Sequence, residues 1–385
     1  MANSKAHDLN CLTIAELEKL AAERMDKQTR DYYNEGADEG STLAENMSAY
    51  QKYRIRPRVL RDVSSVDTSA PIFDYRNSIP LGVAPTAMQG LAHPDGELAT
   101  ARACKKTGVV MGLSSFSTTS LEDVKGALGP EHPAALQLYL FEAREESRAL
   151  IQRAKRAGYK AVFLTVDTAM IGRRTLEIRN QFKLPKHLKI ANFNRDKDTH
   201  HNAGDKGKER DEITFHTHAP NPTLVWERDI AWLTELCHPE MEVWLKGIAT
   251  AEDALLACHH GVDGIVVSNH GGRQLNGALA TIDALPEVVD AVRSQSKKIP
   301  VHVDGGIRHG TDIFKALALG ADFVWIGRPV LWGLAYKGQD GVELCLKLLS
   351  DEFRLCMGLA GVTRVEDIGK EYLVRIDRSG FVSRL

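Results

Sequence analysis

"PVHVDGGIRHGTDIFKALALGADFVWIGRP", residues 300–329, reads as a strand, a helix and a second strand. "PVHVDGG" (300–306) and "FVWIGRP" (323–329) are mostly apolar without strict alternation. Strands of a parallel sheet covered on both faces have that pattern. "GTDIFKALALG" between them is amphipathic and ends in glycine, an expected helix stop.

The unit recurs along the chain. Further apolar runs lie at "IPLGVAP" (79–85), "VVMGLSS" (109–115), "AALQLYL" (134–140), "AVFLTVD" (161–167), "EVWLKGI" (242–248) and "GIVVSNH" (264–270). Amphipathic stretches such as "DGELATARACKKTG", "REESRALIQRAKRAG" and "AEDALLACHHG" separate several of them. Eight strands alternating with helices predict a (β/α)8 TIM barrel over about residues 79–360, in one domain spanning 1–385. A doubly wound open sheet is the competing fold. It lacks support, because no G-x-G-x-x-G follows the first strand. Before the barrel, Thr13-Ile14-Ala15-Glu16 predicts a capping box opening an N-terminal helix. After strand four comes a long polar connection, about 168–222, with the length of a lid. Its histidines (His200, His201, His216, His218) read as loop polarity and not as a metal site.

Composition excludes several classes. A net charge of −2 gives no general electrostatic attraction to nucleic acid or anionic membrane. No 18-residue apolar run and no signal peptide are present. Six scattered cysteines read as reduced packing residues of an intracellular protein.

In a TIM barrel the C-terminal ends of the strands carry function. Here those ends are polar: Pro85-Thr86-Ala87, Ser114-Ser115, Gln137 and Tyr139, Thr165 and Asp167, Lys246, Ser268 and His270, Asp304-Gly305-Gly306, and Gly327-Arg328. Together they predict a ring of donors and acceptors around a large polar ligand. "DGGIR" and "IGRP" follow strands seven and eight, where this fold often holds phosphate, and Arg308 and Arg328 offer forked donors. Lys246, among apolar neighbours, needs an anionic partner, either a carboxylate or a bound anion. His270 alone reads as a structural histidine or a base. Asp167 could orient it, while Arg174 and Arg273 read singly as surface ion pairs and together as a carboxylate clamp.

Motifs along nearly the whole chain resemble the FMN-dependent α-hydroxy acid oxidases and dehydrogenases. They are "DYYNEGADEGSTLAEN" (31–46), "APTAMQGLAHPDGE" (84–97), "LSSFST" (113–118), "QLY" (137–139), "TVDTAMIGRR" (165–174), "LKGIATAEDA" (245–254), "SNHGGRQL" (268–275), "DGGIRHGTDIFKALALGA" (304–321) and "IGRP" (326–329). The resemblance implies FMN as cofactor and oxidation of an (S)-2-hydroxy acid to the 2-oxo acid. Pro85, Thr86, Ala87, Ser114, Gln137, Thr165, Lys246 and Ser268 would contact the flavin ring and ribityl chain. Asp304, Gly305, Gly306, Ile307 and Arg308, with Gly327 and Arg328, would hold ribityl and phosphate. His270 would be the base and Asp167 its partner. Tyr32, Tyr139, Arg174 and Arg273 would hold the substrate.

Phe116 stands where glycolate oxidases carry tryptophan, which implies a larger or more apolar acid. Ala87 matches oxidase members, implying O2 as acceptor and hydrogen peroxide as product. A bulky specialised substrate, or a dehydrogenase with another acceptor, are the alternatives. A non-redox FMN barrel would not need the His270/Arg273/Arg174 set, and a non-catalytic scaffold would not keep it. The resemblance also implies a tetramer. Ser383-Arg384-Leu385 resembles the peroxisomal S-K-L address in a eukaryote; otherwise the expectation is cytoplasmic.

Overall fold

The computed structural model describes residues 8–193, 221–377 and 379–384. The eight apolar runs form strands β1 (Leu81–Val83), β2 (Met111–Leu113), β3 (Ala134–Leu138), β4 (Ala161–Thr165), β5 (Glu242–Ile248), β6 (Gly264–Val267), β7 (Val301–Asp304) and β8 (Phe323–Ile326). They pair in parallel in chain order and close into a barrel, β8 returning to β1 with Val324 opposite Leu81 and Ile326 opposite Val83. The (β/α)8 expectation therefore holds. All five residues of β3 and of β4 are buried, which is why their sequences run apolar instead of alternating.

Each predicted helix lies where its amphipathic stretch places it. Gly96–Thr107 and Arg144–Ala157 both stop at a glycine in the left-handed region, Gly108 and Gly158. The N-terminal capping box is formed: Thr13 Oγ1 accepts from Glu16 N at 3.1 Å, and Glu16 Oε2 accepts from Thr13 N at 3.1 Å. The cysteines are all unpaired, and only Cys258 is not fully buried. Among the described residues no helix is long and apolar enough to cross a membrane.

One end of the barrel is shut. An antiparallel hairpin, Ala70–Ile72 with Tyr75–Asn77, presents Phe73 at its turn. The Phe73 ring packs on Phe163 and Trp244, whose rings meet Trp325 and His302 inside the floor. Gly264 permits this stacking, since a Cβ there would sit 2.4 Å from the Trp244 ring. With the N-terminal end filled by aromatic rings, the accessible space lies at the C-terminal end.

The long connection after β4 includes Thr175–Arg179, a short helix, and Ala191–Phe193, a single turn. His200, His201, His216 and His218, with the middle of the expected lid, lie outside the described residues.

Candidate active site

Every predicted site residue except Asp167 and Ser268 lines one cleft, open to solvent, at the C-terminal ends of the strands. Those two stand directly behind the lining. Ser268 Oγ accepts from Lys246 Nζ at 3.0 Å and from His270 N at 3.1 Å. Asp167 Oδ1 lies 2.9 Å from His270 Nδ1.

The chain after β6 turns sharply to present His270. His270, Gly271 and Gly272 all have positive φ, of 58°, 64° and 76°. A histidine there is strained by about 1–2 kcal/mol. Two amides hold the turn. Asn269 Nδ2 donates to Asn46 Oδ1 at 2.8 Å and Asn46 Nδ2 returns a bond to Asn269 Oδ1 at 2.9 Å, which also accepts from Gly272 N. The turn returns Arg273 to the cleft that His270 lines.

Burial pushes the pKa of His270 down, against the pull of the Asp167 charge, so its ring is neutral at pH 7. Burial opposes the charge on Asp167, but His270 and Lys246 outweigh it and hold its pKa below the usual carboxylate value. The result is an ionised carboxylate accepting from Nδ1–H, which leaves Nε2 with its lone pair. Thr168 Oγ1 donates to Asp167 Oδ1 at 2.9 Å and lies 3.3 Å from Nδ1, fixing the pair further. Burial likewise opposes the charge of Lys246. Asp304 at 3.5 Å and Asp167 outweigh that penalty and raise its pKa.

The arginines differ in how far they are committed. Arg174 is buried, meets Glu177 Oε2 at 3.4 Å, and leaves its Nε without a partner. Arg273 donates through Nη1 to the carbonyls of Tyr32 (2.6 Å) and Glu35 (3.2 Å) and lies over the Tyr32 ring. Burial, with Arg174 nearby, brings its pKa down to about 10. Arg328 gives Nε, Nη1 and Nη2 to the carbonyls of Tyr33, Gly271 and Glu35. That leaves two of its five N–H donors for an anion. Arg308 lies over the Trp332 ring, and its buried Nε has no partner.

The cleft fits FMN. A Cβ on Gly306 would lie 1.9 Å from the Asn46 carbonyl oxygen, so only glycine lets the chain after β7 pack this closely on Asn46 while it lines the cleft. Asp304 Oδ1, like Arg308 Nε, is buried without a partner. Buried polar atoms rarely stay unpaired, and a bound polyol phosphate would supply an acceptor for the guanidinium and a hydroxyl for the carboxylate. Gln137 is fixed between Ser115 N and Thr165 Oγ1, at 3.2 and 3.1 Å, as a polar wall. Five cationic side chains line the cleft (Arg174, Lys246, Arg273, Arg308, Arg328) against one carboxylate, Asp304. With Asp167 behind His270 and Glu177 beside Arg174 included, the excess is two positive charges.

Phe116 lines the substrate end, with its ring 5.6 Å from Tyr139, 6.4 Å from Phe141 and 5.5 Å from Phe193. Tyr32 stacks on Phe182 at 4.5 Å. Supporting residues absent from the sequence reading include Asn46, Phe182 and Glu97. The buried Glu97 carboxylate accepts from Gln89 N, Thr118 N, Thr118 Oγ1 and Thr119 Oγ1, and Gln89 in turn donates to Thr86. Only their place inside quoted motifs marked Asn46 and Glu97. Among the described residues no cluster of three His, Cys, Asp or Glu is placed to hold a metal ion.

Residues 21–375 match the family described as FMN-dependent dehydrogenase. The chain is 45% identical over 357 residues to 2-hydroxyacid oxidase 1 of Mus musculus, covering 93% of this chain and 95% of that protein. It is 42% identical over 381 residues to Oxidase FUB9 of Fusarium oxysporum f. sp. lycopersici, covering 99% and 95%. A mandelate oxidase variant solved with (S)-mandelic acid superposes with a TM-score of 0.81 at 40% identity, covering 92% of this chain and 96% of that one.

Proposed function

We propose, for a chain that belongs to the FMN-dependent dehydrogenase family, the oxidation of an (S)-2-hydroxy acid to the 2-oxo acid with O2 as electron acceptor. One arrangement carries the reading: a neutral histidine backed by a carboxylate, in a cleft where five lining cations face a single lining carboxylate, an excess of positive charge that suits a phosphate and a substrate carboxylate. Arg174 and Arg273 take the substrate carboxylate, and Tyr32 and Tyr139 its oxygens. The hydroxyl then faces His270 Nε2, which accepts its proton as the C2–H bond breaks. Asp167 stabilises the imidazolium that forms. The chemistry that FMN would supply when bound is acceptance of the C2 hydrogen with its electron pair and transfer of both electrons to O2, which with that hydrogen and the proton taken by His270 becomes hydrogen peroxide. Lys246 and Ser268 would support the ring, with the positive charge of Lys246 favouring its reduced form. Gly305, Gly306, Arg308, Gly327 and Arg328 would hold ribityl and phosphate.

A bulky or aromatic side chain on the acid is the preferred substrate class, supported by the Phe116, Phe141 and Phe193 rings. The test is anaerobic mixing of the yellow holoenzyme with glycolate, L-lactate, 2-hydroxyoctanoate and (S)-mandelate. Bleaching by an (S)-acid, with peroxide on readmission of air, is expected. No bleaching by any of them refutes the reading, and bleaching without peroxide refutes O2 as acceptor. Assembly as a tetramer, checked by light scattering, belongs to the same proposal. So does a peroxisomal address in Ser383-Arg384-Leu385, checked by moving these residues to a reporter. Leu385 lies outside the described residues.

A further inference from the structure

Glu35 is a buried carboxylate, 8% exposed, that has no part in the chemistry above. Its oxygens accept from three consecutive residues of the chain after Arg174. Oε1 takes the Thr175 hydroxyl (3.0 Å) and the Leu176 N–H, and Oε2 takes the Glu177 N–H (3.0 Å). Its backbone carbonyl accepts from Arg273 Nη1 (3.2 Å) and Arg328 Nη2 (3.0 Å). The next residues continue the join. Ala37 N donates to Gly272 O and Asp38 N donates to Arg173 O, each at 2.8 Å. One short segment therefore grips both arginine-bearing loops, and Glu35 alone binds the Arg174 loop with its side chain and the Arg273 guanidinium with its main chain.

The Arg174 side chain is poorly restrained by itself. Among the described residues its one ion pair, to Glu177, is 3.4 Å long, and its Nε has no partner. Where its guanidinium points is set by where the backbone of 174–177 is held. Hydrogen bonds to an ionised acceptor are stronger than neutral ones, and three converge on Glu35. A glutamine would keep one acceptor oxygen but turn an NH2 toward a backbone N–H, donor against donor.

We propose that Glu35 is a positioning residue that sets the spacing of Arg174 and Arg273 and thereby the affinity for the carboxylate of the 2-hydroxy acid. This rests on reading the two arginines as a carboxylate clamp. The probe is oxalate, which has a carboxylate and an adjacent oxygen but no side chain to be selected. Its Kd is read from the flavin absorbance of holoenzymes carrying Glu35→Gln, Glu35→Asp, Arg174→Leu, or Glu35→Gln with Arg174→Leu. Glu35→Gln is expected to weaken oxalate about tenfold or more. KM for the fastest acid of the substrate panel rises with it, and kcat falls by a smaller factor. Amide exchange at Leu176 and Glu177 accelerates. Glu35→Asp, which keeps the charge, falls between. In the Arg174→Leu background Glu35→Gln adds nothing. Wild-type oxalate affinity in Glu35→Gln overturns the proposal, as does an equal loss in the Arg174→Leu background. If Glu35→Gln does not fold, Glu35→Asp decides, and wild-type affinity there is the overturning result. Wild-type affinity in Arg174→Leu alone sinks the clamp, and this inference with it. A clamp that stands while Glu35→Gln binds normally sinks only the role of Glu35.

Discussion

Replacing Asp167 by asparagine removes one charge and little volume beside His270. The imidazolium formed during proton abstraction then loses a carboxylate whose oxygen is 2.9 Å from Nδ1. For charge centres about 4 Å apart and an effective dielectric near 20, that attraction is about 4 kcal/mol. At 1.36 kcal/mol per decade, the step should slow by roughly 10³-fold. A second effect acts in the same direction. An asparagine amide can donate to Nδ1, which places the proton on Nε2 and blinds the base. The assay is anaerobic stopped-flow reduction of the bound flavin by saturating substrate, across pH. The sign of the pH effect follows from the site. Asp167 raises the pKa of His270 against burial, so its loss lowers that pKa further. The acid limb of the reduction rate should move to lower pH while the plateau falls about 10³-fold. Flavin content should be retained, because Asp167 does not line the cleft. Reduction within about threefold of wild type, or an acid limb shifted upward, would refute the reasoning.

Three other outcomes follow from the same geometry. Lys246→Met leaves the buried Asp304 without its cation at 3.5 Å, so stability should fall by about 3–5 kcal/mol in urea titrations of the apoprotein, with weaker FMN binding in fluorescence titration. His302, in the barrel floor, accepts from Trp325 Nε1 at 3.1 Å, and burial lowers its pKa from 6.5 to about 3. Its neutral form is favoured by folding, so stability is complete above pH 6.5 and is lost as pH falls toward 3, by roughly 4–5 kcal/mol. His302→Phe should flatten that slope while lowering stability at neutral pH, because Trp325 N–H loses its acceptor; an unchanged slope by urea denaturation at several pH values counts against this. Phe116→Trp narrows the aromatic end of the cleft, so kcat/KM should shift toward small acids over (S)-mandelate by about 10–200-fold in competition assays.

The (β/α)8 fold and most of the cleft were readable from local pattern. Apolar runs buried on both faces, glycine-stopped helices and polar strand ends are short-range features, and each strand end carries its side chain to the barrel mouth wherever the strand goes. Gln137, Lys246 and His270 were legible for that reason. The departures are of another kind. Arg328 read as a free anion donor, yet three of its nitrogens are held by the carbonyls of Tyr33, Gly271 and Glu35. Asn46 and Glu97 read as motif letters, yet one locks the His270 turn and the other holds the segment behind Thr86.

The sequence by itself determined the barrel, the ring of polar strand ends and the pairing of a base with cations, because these follow from periodicity and from which strand a residue ends. Only the tertiary structure decided which donors are free, what holds the His270 turn, and that Glu35 joins the two arginine loops. Those depend on hydrogen bonds between residues such as Asn46 and Asn269, or Glu35 and Arg273, brought together by barrel closure across more than two hundred positions of chain. A backbone carbonyl accepts from whichever guanidinium arrives, and no pattern of side chains along the chain encodes that meeting.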